Sequence, residues 1–362
     1  MLIVFDHQIF SSQKYGGISR YFYELIKHLS SKEGVHTSIV SPLYVNEYIK
    51  NDISYPVYGI KIPKFPNSTL ITRSMIAPIA RNRIKKLHPD IVHETYYSKT
   101  GTGRNPAKTI LTIYDMTHEF FPEYFSTHDR TLRNKELSIH RADHIICISN
   151  HTRIDLLGNY NIEPDKVSTI YLANSLIQSE NGPIYNSPYI LYVGGRTGYK
   201  NFTGFIKAYA QSSRLCNDIH IICFGGGNFT KQEYLLFKSL NINNILHISG
   251  NDSTLSNLYK YAGAYICPSL YEGFCLPLVE AMALECPIIS SNKSCLPEIA
   301  SNAAKYFDPY QLEDITNAIE CIIYSETESH LLITKGKIRK KIFSWDKCAH
   351  QTLNIYMNVL NN

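Results

Sequence analysis

The chain has 362 residues, of which 44% are hydrophobic and 19% charged, which excludes a disordered chain and leaves room for two domains that each bury a core. Nine cysteines, odd in number and without a Cys-x-x-Cys pair, argue for reduced thiols in a cytosol and against a disulfide framework or a structural zinc site. The net charge of +5 belongs to the first half, which holds 21 Lys and Arg against 16 Asp and Glu through residue 175, and no nucleic-acid partner is expected.

Apolar runs of strand length alternate with amphipathic runs of helix length. Leu2–Phe5 is strand-like, ends at Asp6 and is too short for a secretory signal. A helical pattern over 18–29 and a strand over 36–40 follow. Residues 70–86 mix apolar Ile71, Met75, Ile76, Ile79 and Ile84 with Arg73, Arg81, Arg83, Lys85 and Lys86, which suits either a solvated helix face or a helix lying on an anionic membrane surface. Strands are expected at 91–93, 109–113 and 144–148, with a charged helix at about 129–142 before the last of them. No window of about eighteen apolar residues occurs, so no spanning helix is expected.

After Leu172 the text becomes polar and rich in breakers, first at Ala173-Asn174-Ser175 and again over 179–183, and the domain junction is placed there. A second series follows: strands at 189–193, 219–224, 245–248, 264–267 and 288–290, with a helix from Asn201. The reading is two α/β domains, 1–175 and 188–345, each a doubly wound parallel sheet wrapped by helices, facing each other across a cleft.

The segment 268–282, PSLYEGFCLPLVEAM, places Glu272 and Glu280 eight positions apart across a loop that becomes a helix. Gly273 permits a tight turn and Pro277 tolerates a first-turn position without an N–H. The amides from about Phe274 through Cys275 and Leu276 to Leu278, with the positive end of the helix dipole, form a phosphate seat. A carboxylate beside a phosphate is costly unless it accepts hydrogen bonds from sugar hydroxyls, so Glu272 is assigned to a transferred sugar and Glu280 to a ribose diol. Arg196 and Lys200 follow Gly194-Gly195 after a strand and read as cations for a diphosphate, against the plain alternative of surface charges. Gly225, in a Gly-Gly-Gly turn after a strand, and Asn251 suit a nucleotide base. No Asp-x-Asp triad occurs, so developing phosphate charge would fall to these cations and amides, with no metal and no cofactor.

The segment 268–282 resembles the signature of the family 4 (group 1) retaining glycosyltransferases, which have the GT-B fold. Further motifs similar to that family stand in order along nearly the whole chain: Tyr15-Gly16-Gly17-Ile18-Ser19-Arg20-Tyr21, Thr112-Ile113-Tyr114-Asp115-Met116, Ile148-Ser149-Asn150, Tyr192-Val193-Gly194-Gly195-Arg196 with Lys200-Asn201, Leu296-Pro297-Glu298 and Phe343-Ser344-Trp345.

The resemblance implies that Gly16 and Gly17 face the donor phosphates, that Arg196 and Lys200 hold the diphosphate, and that the helix of about 346–362 crosses back to the first domain. It also implies retention of anomeric configuration. Glu272 as nucleophile is one route, and front-face attack, with the leaving phosphate taking the acceptor proton, is the favoured one. Where relatives have His-Asp this chain has Tyr114-Asp115, so the histidine's role falls to the Tyr114 hydroxyl, to His118 or to nothing. Asp115 reads as a sugar or acceptor contact, with loop capping as the alternative. His7, His93 and Glu119 read as hydrogen-bonded loop residues. The expected activity is transfer of a hexose, GDP-mannose being the favoured donor, to a glycan or lipid-linked oligosaccharide such as an O-antigen or capsule, on the inner face of the cytoplasmic membrane. A GT-B epimerase and a non-catalytic scaffold that binds nucleotide sugar are the rivals.

Overall fold

In the computed structural model, which describes residues 1–49, 54–63, 68–103 and 106–361 and of 68–75 the backbone only, the apolar runs form parallel strands in two sheets. The first sheet comprises β1 (Leu2–Phe5), β2 (His36–Tyr44), β3 (Val57–Lys61), β4 (Ile91–Glu94), β5 (Lys108–Ile113), β6 (His144–Cys147) and β7 (Val167–Thr169), in the order β3-β2-β1-β4-β5-β6-β7. The second comprises β8 (Tyr189–Val193), β9 (His220–Phe224), β10 (Ile245–Ile248), β11 (Ala264–Cys267), β12 (Ile288–Ser291) and β13 (Ala304–Phe307), in the order β10-β9-β8-β11-β12-β13. Their inner strands are buried on both faces, as parallel strands sheathed by helices must be.

The chain divides into one unit of Met1–Leu172 with the stretch from Ser344 onward, and a second of Ala173–Phe343. In the first, the helix Gly17–Ser30 buries Tyr21, Phe22, Leu25, Ile26 and Leu29 on the sheet. The C-terminal helix Trp345–Asn361 lies against it, Trp345 stacking at a tilt on Tyr21. In the second, Phe202, Phe205 and Tyr209 of the helix Phe202–Ala210 pack onto Ile190, Tyr192, Ile221 and Ile266.

The basic segment folds as the helix Ser68–Leu87. Ile76, Ala80 and Ile84, four residues apart, share one face and are buried against Val4, Val40 and Val92. Ile76 and Ile84, expected among the apolar residues of a membrane-lying face, therefore belong to the core. Ile79 remains exposed, Arg83 covers the Tyr58 ring at 4.2 Å, and Arg81 Nε donates to the Gly101 carbonyl at 2.9 Å. The side chains of Ile71, Arg73 and Met75 lie outside the described residues. Among the described residues no helix is long and apolar enough to cross a membrane.

Candidate functional site

Each strand order reverses once, at β1/β4 in the first unit and at β8/β11 in the second, and a parallel sheet opens a crevice beyond the carboxyl ends of its strands at such a point. In the second unit the loops there are 194–200 after β8 and 268–275 after β11. The Leu270 amide donates to the Tyr199 carbonyl at 2.7 Å and ties the two loops together.

Lys200 and Glu272 face each other at this point. Nζ donates to Oε1 at 2.7 Å and to Oε2 at 2.9 Å. Ser269 adds a hydrogen bond to Oε1 at 2.7 Å, and the Glu272 amide donates to Ser294 Oγ at 2.9 Å. Burial alone would lower the Lys200 ammonium, but Glu272, with Tyr199 beside it, outweighs burial and holds its pKa well above the usual lysine value. The pair is thus a fixed cation beside a fixed carboxylate. It can offer donors to a phosphate and acceptors to sugar hydroxyls from one spot.

Arg196 is held by partners within the protein. Its Nε pairs with Glu233 Oε1 at 2.6 Å, Nη1 donates to the Gly225 carbonyl at 3.1 Å, and Nη2 donates to the Gly227 and Asn228 carbonyls at 2.9 and 3.0 Å. Phe229 lies under the guanidinium at 4.9 Å. The fork therefore fixes the glycine turn after β9, whose three glycines all have φ between 70° and 77°. At Gly226 a Cβ would stand 2.4 Å from the Gly194 carbonyl oxygen, so glycine is required there. Asn251 has a structural task as well. Its Oδ1 accepts from the Thr254 amide at 3.0 Å and caps the helix Asp252–Tyr261.

The helix Leu276–Ala283 starts where the sequence put it, with two changes. Pro277 is the second helical residue, and the Leu278 amide donates to the Cys275 carbonyl at 3.0 Å instead of pointing outward. Among the described residues the Cys275 and Leu276 amides have no partner, so the anion seat is shorter than the sequence suggested. Gly273 and Phe274 precede it, and Phe274 packs edge-on to Phe343. Glu280 is 5% exposed, and Tyr259 donates to its Oε2 at 3.1 Å. Burial and that carboxylate together hold the Tyr259 hydroxyl well above the usual tyrosine range.

Cys275 sits before this helix at φ 65° and ψ 72°, a left-handed conformation that costs a side-chain-bearing residue about 1–2 kcal/mol. Its Sγ lies 3.6 Å from Cys267 Sγ, and a Glu272 carboxylate oxygen completes a set of three ligand atoms mutually within 4.8 Å. No metal-ligand spacing in the sequence pointed to this set.

In the first unit, the Tyr114 hydroxyl donates to the Thr95 carbonyl at 2.7 Å in a buried position, and burial pushes it well above the usual tyrosine range. It holds the β4 and β5 loops together, so the hydrogen of its hydroxyl is already used. Asp115 Oδ1 accepts from the Thr117 amide at 3.0 Å, the loop-capping arrangement. Buried Lys135 donates to the Asp115 carbonyl at 2.9 Å and to Glu119 Oε2 at 2.8 Å. His118 stacks on Phe125 at 3.7 Å and faces Asp129 at 3.4 Å, at the edge of a 260 Å³ pocket. Gly16 precedes the helix Gly17–Ser30 with extended backbone, and the Gln13 side chain accepts from the Ser19 amide at 3.3 Å. His93 is hydrogen-bonded to Tyr356 and Thr112 at 2.6 and 2.8 Å.

Sequence reasoning missed Lys135, Ser269, Ser294, Tyr259 and Glu233. Glu233 alone left a signal, the Thr230-x-x-Glu233 capping box at the start of the helix Lys231–Ser239. The others are single residues brought in by tertiary contacts.

Comparison with known proteins agrees with this layout. Residues 15–173 match the model of glycosyltransferase family 4, and residues 175–339 match that of the glycosyl transferases group 1. O-antigen chain mannosyltransferase B of Escherichia coli is 27% identical over 268 residues, covering 69% of this chain and 70% of that protein. An O-antigen chain mannosyltransferase of Salmonella typhimurium is 28% identical, covering 59% of this chain and 60% of its own length. Sucrose-phosphate synthase from Thermosynechococcus elongatus superposes with a TM-score of 0.80 over 99% of both chains at 18% identity. With two family models meeting at the junction of two parallel-sheet units, the chain belongs to the family 4, group 1 glycosyltransferases and has their GT-B fold.

Proposed function

We propose that the protein moves a mannosyl unit from GDP-mannose to a growing lipid-linked glycan of the O-antigen kind, with retention at the anomeric carbon and without a divalent cation. Membership of a glycosyltransferase family supports the reaction class. The two O-antigen mannosyltransferases among its relatives support the sugar and the acceptor. The observation that carries the reading is the Lys200–Glu272 pair beside the Cys275 and Leu276 amides at the β8/β11 switch point.

In this reading Lys200 and those amides receive the diphosphate, and Glu272 accepts hydroxyls of the mannose and stabilises positive charge at its anomeric carbon. The bond from that carbon to the phosphate oxygen breaks, the acceptor oxygen bonds on the same face, and its proton passes to the leaving phosphate. Arg196 contributes by fixing the glycine turn against which the nucleotide lies. Asp115 offers its Oδ2 to the acceptor, with Lys135 holding its backbone in place.

The test is transfer from GDP-mannose to a mannosylated acceptor, with the product linkage read by NMR, alongside thermal shifts with GDP, UDP, ADP and dTDP. An α-linked product, stabilisation by GDP above the others and activity undiminished by chelator are expected. A β-linked product would overturn retention. Activity lost to chelator and restored by magnesium or manganese would overturn the cation-free scheme.

A further inference from the structure

We propose that Cys267, Glu272 and Cys275 form a site for a thiophilic divalent cation of the zinc class, and that filling it draws Glu272 away from Lys200. The two Sγ atoms are 3.6 Å apart, and a Glu272 oxygen lies within 4.8 Å of both. Two metal–sulfur bonds of about 2.3 Å at a tetrahedral angle set sulfurs about 3.8 Å apart, so the thiols already stand near the spacing a bound ion needs. Three protein ligands leave a fourth position for water, and the sulfur pair selects zinc, cadmium or cobalt over magnesium.

The framework is stiff on both sides. Cys267 is the last residue of buried β11, and Cys275 is held in a left-handed conformation directly before the helix Leu276–Ala283. Cys275 puts a side chain where backbone geometry favours glycine, and that side chain faces the other thiol. Tyr265 lies 3.7 Å from Cys275 Sγ through its hydroxyl, within reach to donate to a bound thiolate.

Charge bookkeeping favours the exchange. With neutral thiols, Glu272 and Lys200 sum to zero. A divalent ion binding two thiolates releases two protons to solvent, and the cluster again sums to zero, so no net charge is buried. Glu272 Oε1 now accepts from both Lys200 and Ser269, and the ion must take an oxygen from that arrangement. Loss of transfer on metal binding rests on the function proposed above for Glu272, whereas the site itself does not.

The test uses the reduced, metal-stripped full chain titrated with Co²⁺. One equivalent should bring up a sulfur-to-cobalt charge-transfer band, and Cys267→Ser or Cys275→Ser should each weaken binding by more than ~10-fold. Cys275→Gly, which relieves the positive φ while removing the thiol, should lose the band as well and guards against misfolding of the serine variant. Zn²⁺ should halt transfer, chelator should restore it, and Cys267→Ser should resist Zn²⁺ relative to its own metal-free rate. Absence of the band, or a band that both serine variants keep, would overturn the site. A Cys267–Cys275 disulfide formed in place of metal binding would overturn it too. Cobalt bound at these cysteines with transfer unaffected would overturn the switch and place the fault in the role given to Glu272.

Discussion

Lys200 Nζ bridges both carboxylate oxygens of Glu272, at 2.7 and 2.9 Å, although the two residues lie 72 positions apart. The contact joins the loop after β8 to the loop after β11, so each residue holds the other where the strand order reverses. Lys200→Ala and Glu272→Ala should each lower transfer by at least ~100-fold with the far-ultraviolet spectrum unchanged. Groups that act as one unit lose their effect together, so the double variant should fall well short of the product of the single losses. Near-normal kcat/KM in either single variant would remove that residue from the reaction.

Arg196 offers a sharper separation between structural and phosphate-binding roles. Its guanidinium joins Glu233 to the carbonyls of Gly225, Gly227 and Asn228, and its side chain is nearly buried. Removing one member of such a pair leaves the other unsatisfied, so Arg196→Ala should cost about 3 kcal/mol in urea unfolding, and Arg196→Lys should recover little because an ammonium cannot span the same carbonyls. Glu233→Ala should lower donor affinity through the loosened turn although Glu233 itself would touch no donor. Unchanged stability in Arg196→Ala, with donor affinity alone reduced, would restore Arg196 to direct phosphate contact.

Tyr114 takes the place where the resemblance puts a histidine, and its hydroxyl is committed to the Thr95 carbonyl. Tyr114→Phe should destabilise the first unit by about 1–3 kcal/mol, the cost of an unsatisfied buried carbonyl. Transfer should change by less than ~10-fold, that is, by under about 1.4 kcal/mol of barrier. A larger loss of kcat in a stably folded variant would return the phenol to the acceptor site.

Strands at 2–5, 91–93, 109–113, 189–193 and 264–267 were legible because parallel strands buried on both faces read as unbroken apolar runs. β3, β7 and β13 left no such run. They lie at the edges of their sheets, and β3 is exposed from Gly59 to Lys61. Glu272, Lys200 and the start of the helix Leu276–Ala283 were found because their loops follow strands and carry charge or glycine. What sequence could not tell was which partner each side chain takes. Asn251 turns back to cap its own helix, Arg196 finds Glu233, and Cys267 meets Cys275. The Asn251 cap is local, three residues on, and competes with the ligand reading of the same residue, whereas Arg196 and Cys267 meet partners chosen by the folded loops, of which spacing along the chain carries no trace. The core face of the basic helix was not legible for a related reason. Ile76, Ala80 and Ile84 recur every four residues, which marks a core face as well as a membrane face, and the sheet beneath them decides.

His93 links the end of β4 to the C-terminal helix, with Nδ1 at 2.6 Å from the Tyr356 hydroxyl and Nε2 at 2.8 Å from Thr112. Burial pulls its pKa down from 6.5 to about 3, so the folded protein keeps the ring neutral, one nitrogen donating and the other accepting. In the unfolded chain the same ring takes a proton below pH 6.5. Between pH 6.5 and about pH 3 the unfolded state therefore binds more protons at this residue, and stability falls as pH is lowered through that window. Above pH 6.5 the contribution is constant. The slope from this one group approaches about 1.4 kcal/mol per pH unit in the middle of the window and falls off toward either end. Urea unfolding of the full chain between pH 6.5 and about pH 4.5 should show that slope in the native protein and its loss in His93→Gln, which retains a donor and an acceptor without a titrating ring. Equal slopes in the two proteins would mean that His93 is charged in the fold, and the Tyr356 and Thr112 contacts would then have to be acceptors of its two N–H groups.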